Sequence, residues 1–166
     1  SKLKVILVTS LLLAVAGGVS WWRWTGNRLA IVRETQPVTP DLSATREILR
    51  IRIAAAEAHA RSRLTATKGL AELSRLLHAN GFLEEAKQCY AGLERLEPNE
   101  PRWPHRHATI LAGYGNFEPA LTLWRRVIEL APDYLPSRRR VGDWLLKSNQ
   151  PAAAAAMFAG VLKRDA

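Results

Sequence analysis

With 166 residues the chain has room for one domain and an anchor, and 48% hydrophobic with 23% charged residues is the balance of an ordinary globular helical protein. A single cysteine, Cys89, excludes an internal disulfide. The formal charge of +9 suggests a polyanionic partner until it is divided: +4 falls on residues 1–40, +2 on 41–66 and +3 on 67–166. Most of the excess lies ahead of residue 67, so a juxtamembrane origin explains it at least as well as nucleic acid does.

The chain opens Ser1-Lys2-Leu3-Lys4 and then runs uncharged and apolar for 18 residues, Val5 to Trp22. As a helix this run extends about 27 Å, enough for a bilayer core. Trp21, Trp22 and Trp24 gather at its end beside Arg23, as interfacial aromatics do. Ser10, Ala14 and Gly18 recur every four residues, a smooth face for packing on another transmembrane helix. Ala14-Val15-Ala16 also has the form of a cleavage site after a short apolar core, so a removed signal peptide competes with a retained signal-anchor. The expectation is the retained anchor over 1–24, in contact with membrane lipid. Basic residues flank both ends and do not decide orientation; a short amino-terminal tail favours placing the rest on the periplasmic side.

Residues 25–40, with Gly26, Asn27, Pro37 and Pro40, read as a linker. Over 41–66, Asp41 or Ser43 offers a helix cap. Ile48, Ile51, Ala55 and Ala58, with Leu49, Ile53, Ala56 and Ala60 beside them, give a broad apolar face suited to closing the front of a stack.

From residue 67 one pattern is written three times at a spacing of 34: Gly81, Gly115 and Asn149; Ala86, Ala120 and Ala154; Tyr90, Trp124 and Phe158; Leu93, Val127 and Val161. Pro98 and Pro132 close the first two copies. Within the first, Leu70, Leu73 and Leu77 form an apolar stripe that ends at Asn80-Gly81, where a helix can stop. A second helix carries Ala86, Tyr90, Leu93 and Leu96 and halts before Pro98. Neither helix can bury its stripe alone, so the copies must stack.

This register resembles the tetratricopeptide repeat family, over 67–100, 101–134 and 135–166. It departs where the family pattern opens with Trp, Leu, Gly and Tyr: here Leu70, Leu73, Ser74 and Leu77 in the first copy, and Pro104, His107, Ala108 and Leu111 in the second. The expected fold is all-α: an N-terminal transmembrane helix, a packing helix, and an α-solenoid of about three helical hairpins. No cap is evident after the third copy, which offers an open end to a partner or a second copy.

The resemblance implies that first helices line a concave groove for a partner segment. By phase that groove shows Lys68, Arg75, His78, Arg102, His105, Arg139, Asp143 and Lys147, while Glu84, Glu85, Glu94, Glu97, Glu118 and Glu129 fall on second helices. Such segregation steers an acidic segment inward. The Lys and Asn pairs of carboxylate-clamp members are missing from the expected phases. Arg138-Arg139-Arg140 is a further candidate contact. Trp103 and Trp144 read as core or groove wall.

No chemistry stands out. His59, His78, His105 and His107 are scattered, and no metal-ligand spacing, phosphate loop or nucleophile elbow is present. Cys89 beside Tyr90 reads as a buried inert thiol. The expectation is therefore a non-catalytic, membrane-anchored scaffold for protein partners, needing neither metal nor cofactor, as an accessory subunit of an envelope complex. A soluble exported assembly chaperone is the alternative, and nucleic acid is not the expected partner.

Overall fold

A computed structural model describes residues 2–162, with side chains from 15 to 159, and within that range it is built from helices alone. After a long α1 (Lys2–Thr35) come α2 (Glu47–Arg61), α3 (Ala66–Ala79), α4 (Leu83–Leu96), α5 (Arg102–Gly113), α6 (Phe117–Leu130), α7 (Leu135–Lys147) and α8 (Pro151–Leu162). Helices α3 to α8 pair as three hairpins, α3/α4, α5/α6 and α7/α8, each packed on the next.

The turns inside these hairpins are one motif used three times. Gly81, Gly115 and Asn149 take φ of 85°, 81° and 57°, the left-handed region that lets a helix end abruptly. In each, the amide three residues past the end of the helix reaches back: Phe82 to the Leu77 carbonyl at 3.0 Å, Asn116 to Leu111 at 2.9 Å, Gln150 to Leu145 at 2.9 Å. The preceding amide closes the inner bond, as Gly115 does to Ala112 at 3.1 Å. These paired bonds satisfy carbonyls that a helix end leaves open.

Four to five residues beyond each turn the second helix crosses the first at an alanine. Ala86, Ala120 and Ala154 are all completely buried, with Tyr90 and Trp124 filling the space one turn on and Leu93 and Val127 below them. Val161 lies outside the residues whose side chains are described. The apolar contacts gather into two clusters, one around Leu70, Leu77, Tyr90 and Trp103, the other around Ala108, Leu121, Trp124 and Val141.

The amino-terminal region differs from the sequence expectation. No helix among the described residues is long and apolar enough to cross a membrane, so the transmembrane signal-anchor and the single-pass periplasmic placement do not stand. The physical reason is visible from Arg23 onward: α1 continues through Arg28, Arg33 and Glu34, and this polar half is docked on protein. Residues 25–40 do not form a linker throughout, because α1 runs through Gly26 and Asn27 to Thr35 and buries Thr25, Leu29 and Val32 against the repeats. Arg95 and Glu34 pair across this contact at 2.9 Å. Of the expected helix-packing face, Ser10 and Ala14 lie outside the residues with described side chains, and Gly18 has nothing within 4 Å. Trp21, Trp22 and Trp24 have no span to border and sit beside the first repeat.

Docking of α1 requires a missing side chain at Gly92 on α4. A Cβ there would stand 2.0 Å from Thr35 Oγ1 and 2.7 Å from Thr35 Cβ. Gly69 does the same for α2 and α3, where a Cβ would stand 2.1 Å from the Ala60 nitrogen. Helix α2 starts at Glu47 with no side-chain cap; Asp41 instead accepts a hydrogen bond from the Ser43 amide at 2.9 Å, forming a turn ahead of the helix. It buries Ile53, Ala56 and Ala60, with Leu49 partly covered, and leaves Ile48, Ile51, Ala55 and Ala58 in solvent. Its buried Glu57 is satisfied by Thr39 and, at 3.0 Å, by Arg61.

Substituting Gly92→Ala is predicted to lower stability by about 1–3 kcal/mol through overpacking, and adding Thr35→Gly to recover part of that loss. Gly113→Ala, at the end of α5 with nothing within 4 Å, is the control: neutral or stabilising by up to about 1 kcal/mol. Thermal unfolding of the three variants checks both signs.

Candidate functional site

First helices α3, α5 and α7 turn one side to a concave surface divided into three adjoining clefts of about 530, 220 and 400 Å³. The largest is lined by Lys68 and Arg75 of α3 and by Arg102 and Trp103 of α5. Its far wall comes from α1 and the α2–α3 turn, through Trp21, Trp24, Arg28 and Arg63. The middle cleft joins His78 of α3, His105, Arg106 and Thr109 of α5, and Tyr134 and Arg140 at the start of the third hairpin. The last lies between α5 and α7, with Phe117, Trp124 and Trp144 as apolar walls and Arg140, Asp143 and Lys147 as its charges.

The structure thus brings together Lys68, Arg75 and Arg102 in one cleft, His78 and His105 in the next, and Lys147 in the third. Arg139 lines none of them; its side chain is 76% exposed and stands 3.9 Å from Asp143. Arg140, expected only as part of the Arg138-Arg139-Arg140 run, faces the groove, and so does Arg106, which the sequence reading misses although a signal exists: it lies 34 residues, the repeat length, before Arg140. The lining residues from α1 and the α2–α3 turn carry no such signal, because no repeat phase extends to them.

Across the three linings stand eight cations, among them Arg28, Arg63, Arg106 and Arg140, against two carboxylates, Glu97 and Asp143. The sequence phase puts Glu97 on an outward second helix; at the end of α4 it instead accepts a hydrogen bond from Trp103 Nε1 at 2.8 Å. The other second-helix acids stay away from the groove. Glu94 pairs with His107 at 2.7 Å and Arg126 at 3.7 Å, and Glu84 with Lys87 at 2.5 Å.

Desolvation among cations governs the middle cleft. His105 bonds Ser137 Oγ at 2.8 Å and meets the Tyr134 ring edge-on at 5.2 Å. Burial, reinforced by Arg140 and Arg106, pushes its pKa down to about 4. His78, 3.1 Å from the Tyr90 hydroxyl, is lowered by burial and by Arg106. Both rings are neutral at neutral pH, so the cleft's charge there comes from its arginines. Burial also pushes the Cys89 thiol up to about 12, which keeps it protonated. The indole nitrogen of buried Trp124 has no hydrogen-bond partner among the described residues. No three His, Cys, Asp or Glu side chains in the described range come together as metal ligands.

No protein-family model matches the sequence, and no curated protein matches it by sequence. The fold does match solved structures. A MamA from Desulfovibrio magneticus RS-1, spanning its residue 41 to its end, superposes with a TM-score of 0.62 at 12% identity, over 71% of this chain and 67% of that one. A crystal structure of MamA gives 0.58 at 11% identity over 75% and 82%, and a structure of MamA from MSR-1 gives 0.55 at 14% identity over 89% and 97%. At these identities the likeness establishes an all-helical, tetratricopeptide-like solenoid.

The sign of the His105 shift gives a prediction. Its folded pKa of about 4 lies below the ordinary 6.5, so between those values the unfolded chain binds the proton first and stability falls as pH drops. Denaturant unfolding followed across that window is predicted to show this decline, and His105→Gln to flatten it.

Proposed function

We propose that the chain is a non-catalytic scaffold that recruits a protein partner by taking an acidic segment of it along the concave face of α3, α5 and α7. The observation that carries this reading is the charge census of the face, eight cations against two carboxylates. It is set beside second helices whose glutamates are turned elsewhere or already paired. The tetratricopeptide-like fold supports it, since stacked hairpins give an extended concave surface. A curved wall of arginine with low-dielectric flanks concentrates its field inward and raises the encounter rate of a negative segment.

The Arg106 and Arg140 pair would meet carboxylates of the segment's middle, and the apolar walls of the third cleft, Phe117 and Trp144, its uncharged side chains. Neutral His78 and His105 serve as walls and hydrogen-bonding groups at neutral pH, and their protonation on acidification would add further positive charge to the same cleft.

Titration with a synthetic Asp/Glu-rich peptide tests the reading by fluorescence anisotropy. Binding is expected at low ionic strength, weakening progressively as the screening length contracts from about 30 Å at 0.01 M salt to about 3 Å at 1 M. A Lys-rich peptide of equal length is expected not to bind. Failure of the acidic peptide to bind at low salt, or affinity indifferent to salt, would overturn the proposal.

A further inference from the structure

The largest cleft contains an arrangement that the repeat pattern does not supply. Its outer wall is α1, whose tryptophans are strongly exposed although they border protein: Trp21 50%, Trp22 60% and Trp24 56%. Three of the cleft's arginines lie on indole rings. The Arg63 guanidinium carbon is 3.6 Å from the Trp22 ring centroid, Arg28 is 4.6 Å from Trp24, and Arg102 is 5.2 Å from Trp103. A guanidinium resting on an aromatic face is preoriented, and its in-plane N–H edges stay available to an acceptor.

The charges of this cleft are unequally satisfied. Arg75 pairs with Glu72 at 2.6 Å and Arg102 with Glu100 at 2.8 Å. Arg28 has neutral acceptors, Thr67 Oγ1 at 2.7 Å and the Leu96 carbonyl at 3.4 Å, and Arg63 has the Trp22 carbonyl at 3.3 Å. Arg28, Arg63 and Lys68 take part in no ion pair among the described residues. Three cations without an ion pair thus converge on one recess whose carboxylate, Glu97, is held by Trp103 Nε1, and which also exposes the Trp21 indole and a Leu64 side chain left 74% in solvent.

The geometry points to this cleft as the anchoring subsite of the groove: it takes a short acidic peptide segment whose carboxylates meet Arg28, Arg63 and Lys68 and whose aromatic side chain packs on Trp21 and Leu64, with α1 as the retaining wall. This rests on the acidic-segment reading of the concave face and adds where the segment is held and which side chain it needs. The same unpaired cations argue for a peptide over a single strand of nucleic acid. Stacking successive bases needs several free indole faces, whereas Trp22, Trp24 and Trp103 each already carry a guanidinium and, of these indoles and Trp21, Trp21 alone stands without one among the described residues. The three cations without an ion pair also cluster in one recess of about 530 Å³, where a nucleic-acid backbone would need them spaced along a track.

The test uses the full chain and a fluorescein-labelled Asp/Glu-rich peptide with one central Phe, alongside the same peptide with Ala in its place. The double variant Arg63→Glu with Lys68→Glu is expected to weaken binding about tenfold or more, by removing attraction and adding repulsion, while Arg140→Glu in the next cleft costs about threefold or less. Trp21→Ala, on an exposed position, is expected to abolish the preference for Phe over Ala without altering the thermal unfolding curve. If Arg140→Glu costs as much as the double variant, or the Phe and Ala peptides bind alike, the anchoring subsite is wrong and the acidic-groove reading survives. If neither peptide binds the unaltered chain at low salt, that broader reading falls as well. A single-stranded oligonucleotide that displaces the peptide at lower concentration would overturn the choice of occupant.

Discussion

Close approach of two helices at a residue with almost no side chain is the contact on which the molecule depends. Ala86, Ala120 and Ala154 are each completely buried at the crossing inside a hairpin, and Gly92 and Gly69 bring α1 and α2 equally near to the first repeat. A helix that approaches this closely buries its apolar stripe, and what it cannot cover its neighbour must. The three left-handed turns fix the angle at which each second helix returns, so the first helices are left lining one side. The groove is a consequence of that geometry, and the character of its floor follows from which residues occupy the exposed positions of α3, α5 and α7.

Those positions carry a predominance of positive charge. Of the hairpin acids, Glu97 and Asp143 line the groove and Glu72 pairs with Arg75 at its edge and with Arg52, while Glu94 is held by His107 and Arg126. The histidines of the middle cleft are held neutral by burial and by Arg106 and Arg140. A surface of this kind attracts and orients a negative chain. Its arginines, several of them resting on indole rings, are stiffer than free side chains and lose less freedom when a carboxylate arrives. The docked half of α1 sharpens this, since Trp24 and Arg28 overhang the groove only because Leu29 and Val32 are fixed in the core one turn on.

The repeated part of the fold was legible because its determinants are local and recur. Gly81, Gly115 and Asn149 announce the turns, and the alanine and aromatic positions keep phase with them. The same phase places Lys68, Arg75, His78, Arg102, His105 and Lys147 along the clefts but not Arg139, and it also holds the clue to Arg106. The amino-terminal region was misread for a physical reason: an uncharged apolar run ending in tryptophans has the composition of a bilayer-spanning helix. The run continues into a segment in which Leu29 and Val32 are buried with Arg28 and Arg33 flanking them, and Gly26, Asn27, Pro37 and Pro40 give that segment the composition of a linker. Gly26 has nothing within 4 Å and sits in the helix without consequence. That α1 packs on α4 depends on Gly92 facing Thr35 across 57 residues of sequence, a pairing that no local pattern encodes.

The central claim is that the concave face of first helices, closed at one end by α1, receives a negatively charged chain. Amide chemical-shift mapping during titration with polyglutamate measures this directly. The account predicts perturbations confined to α3, α5, α7, the α2–α3 turn and the Trp21 to Arg28 stretch of α1. Perturbations centred on the outward faces of α4 and α6, or none at low ionic strength, would contradict it.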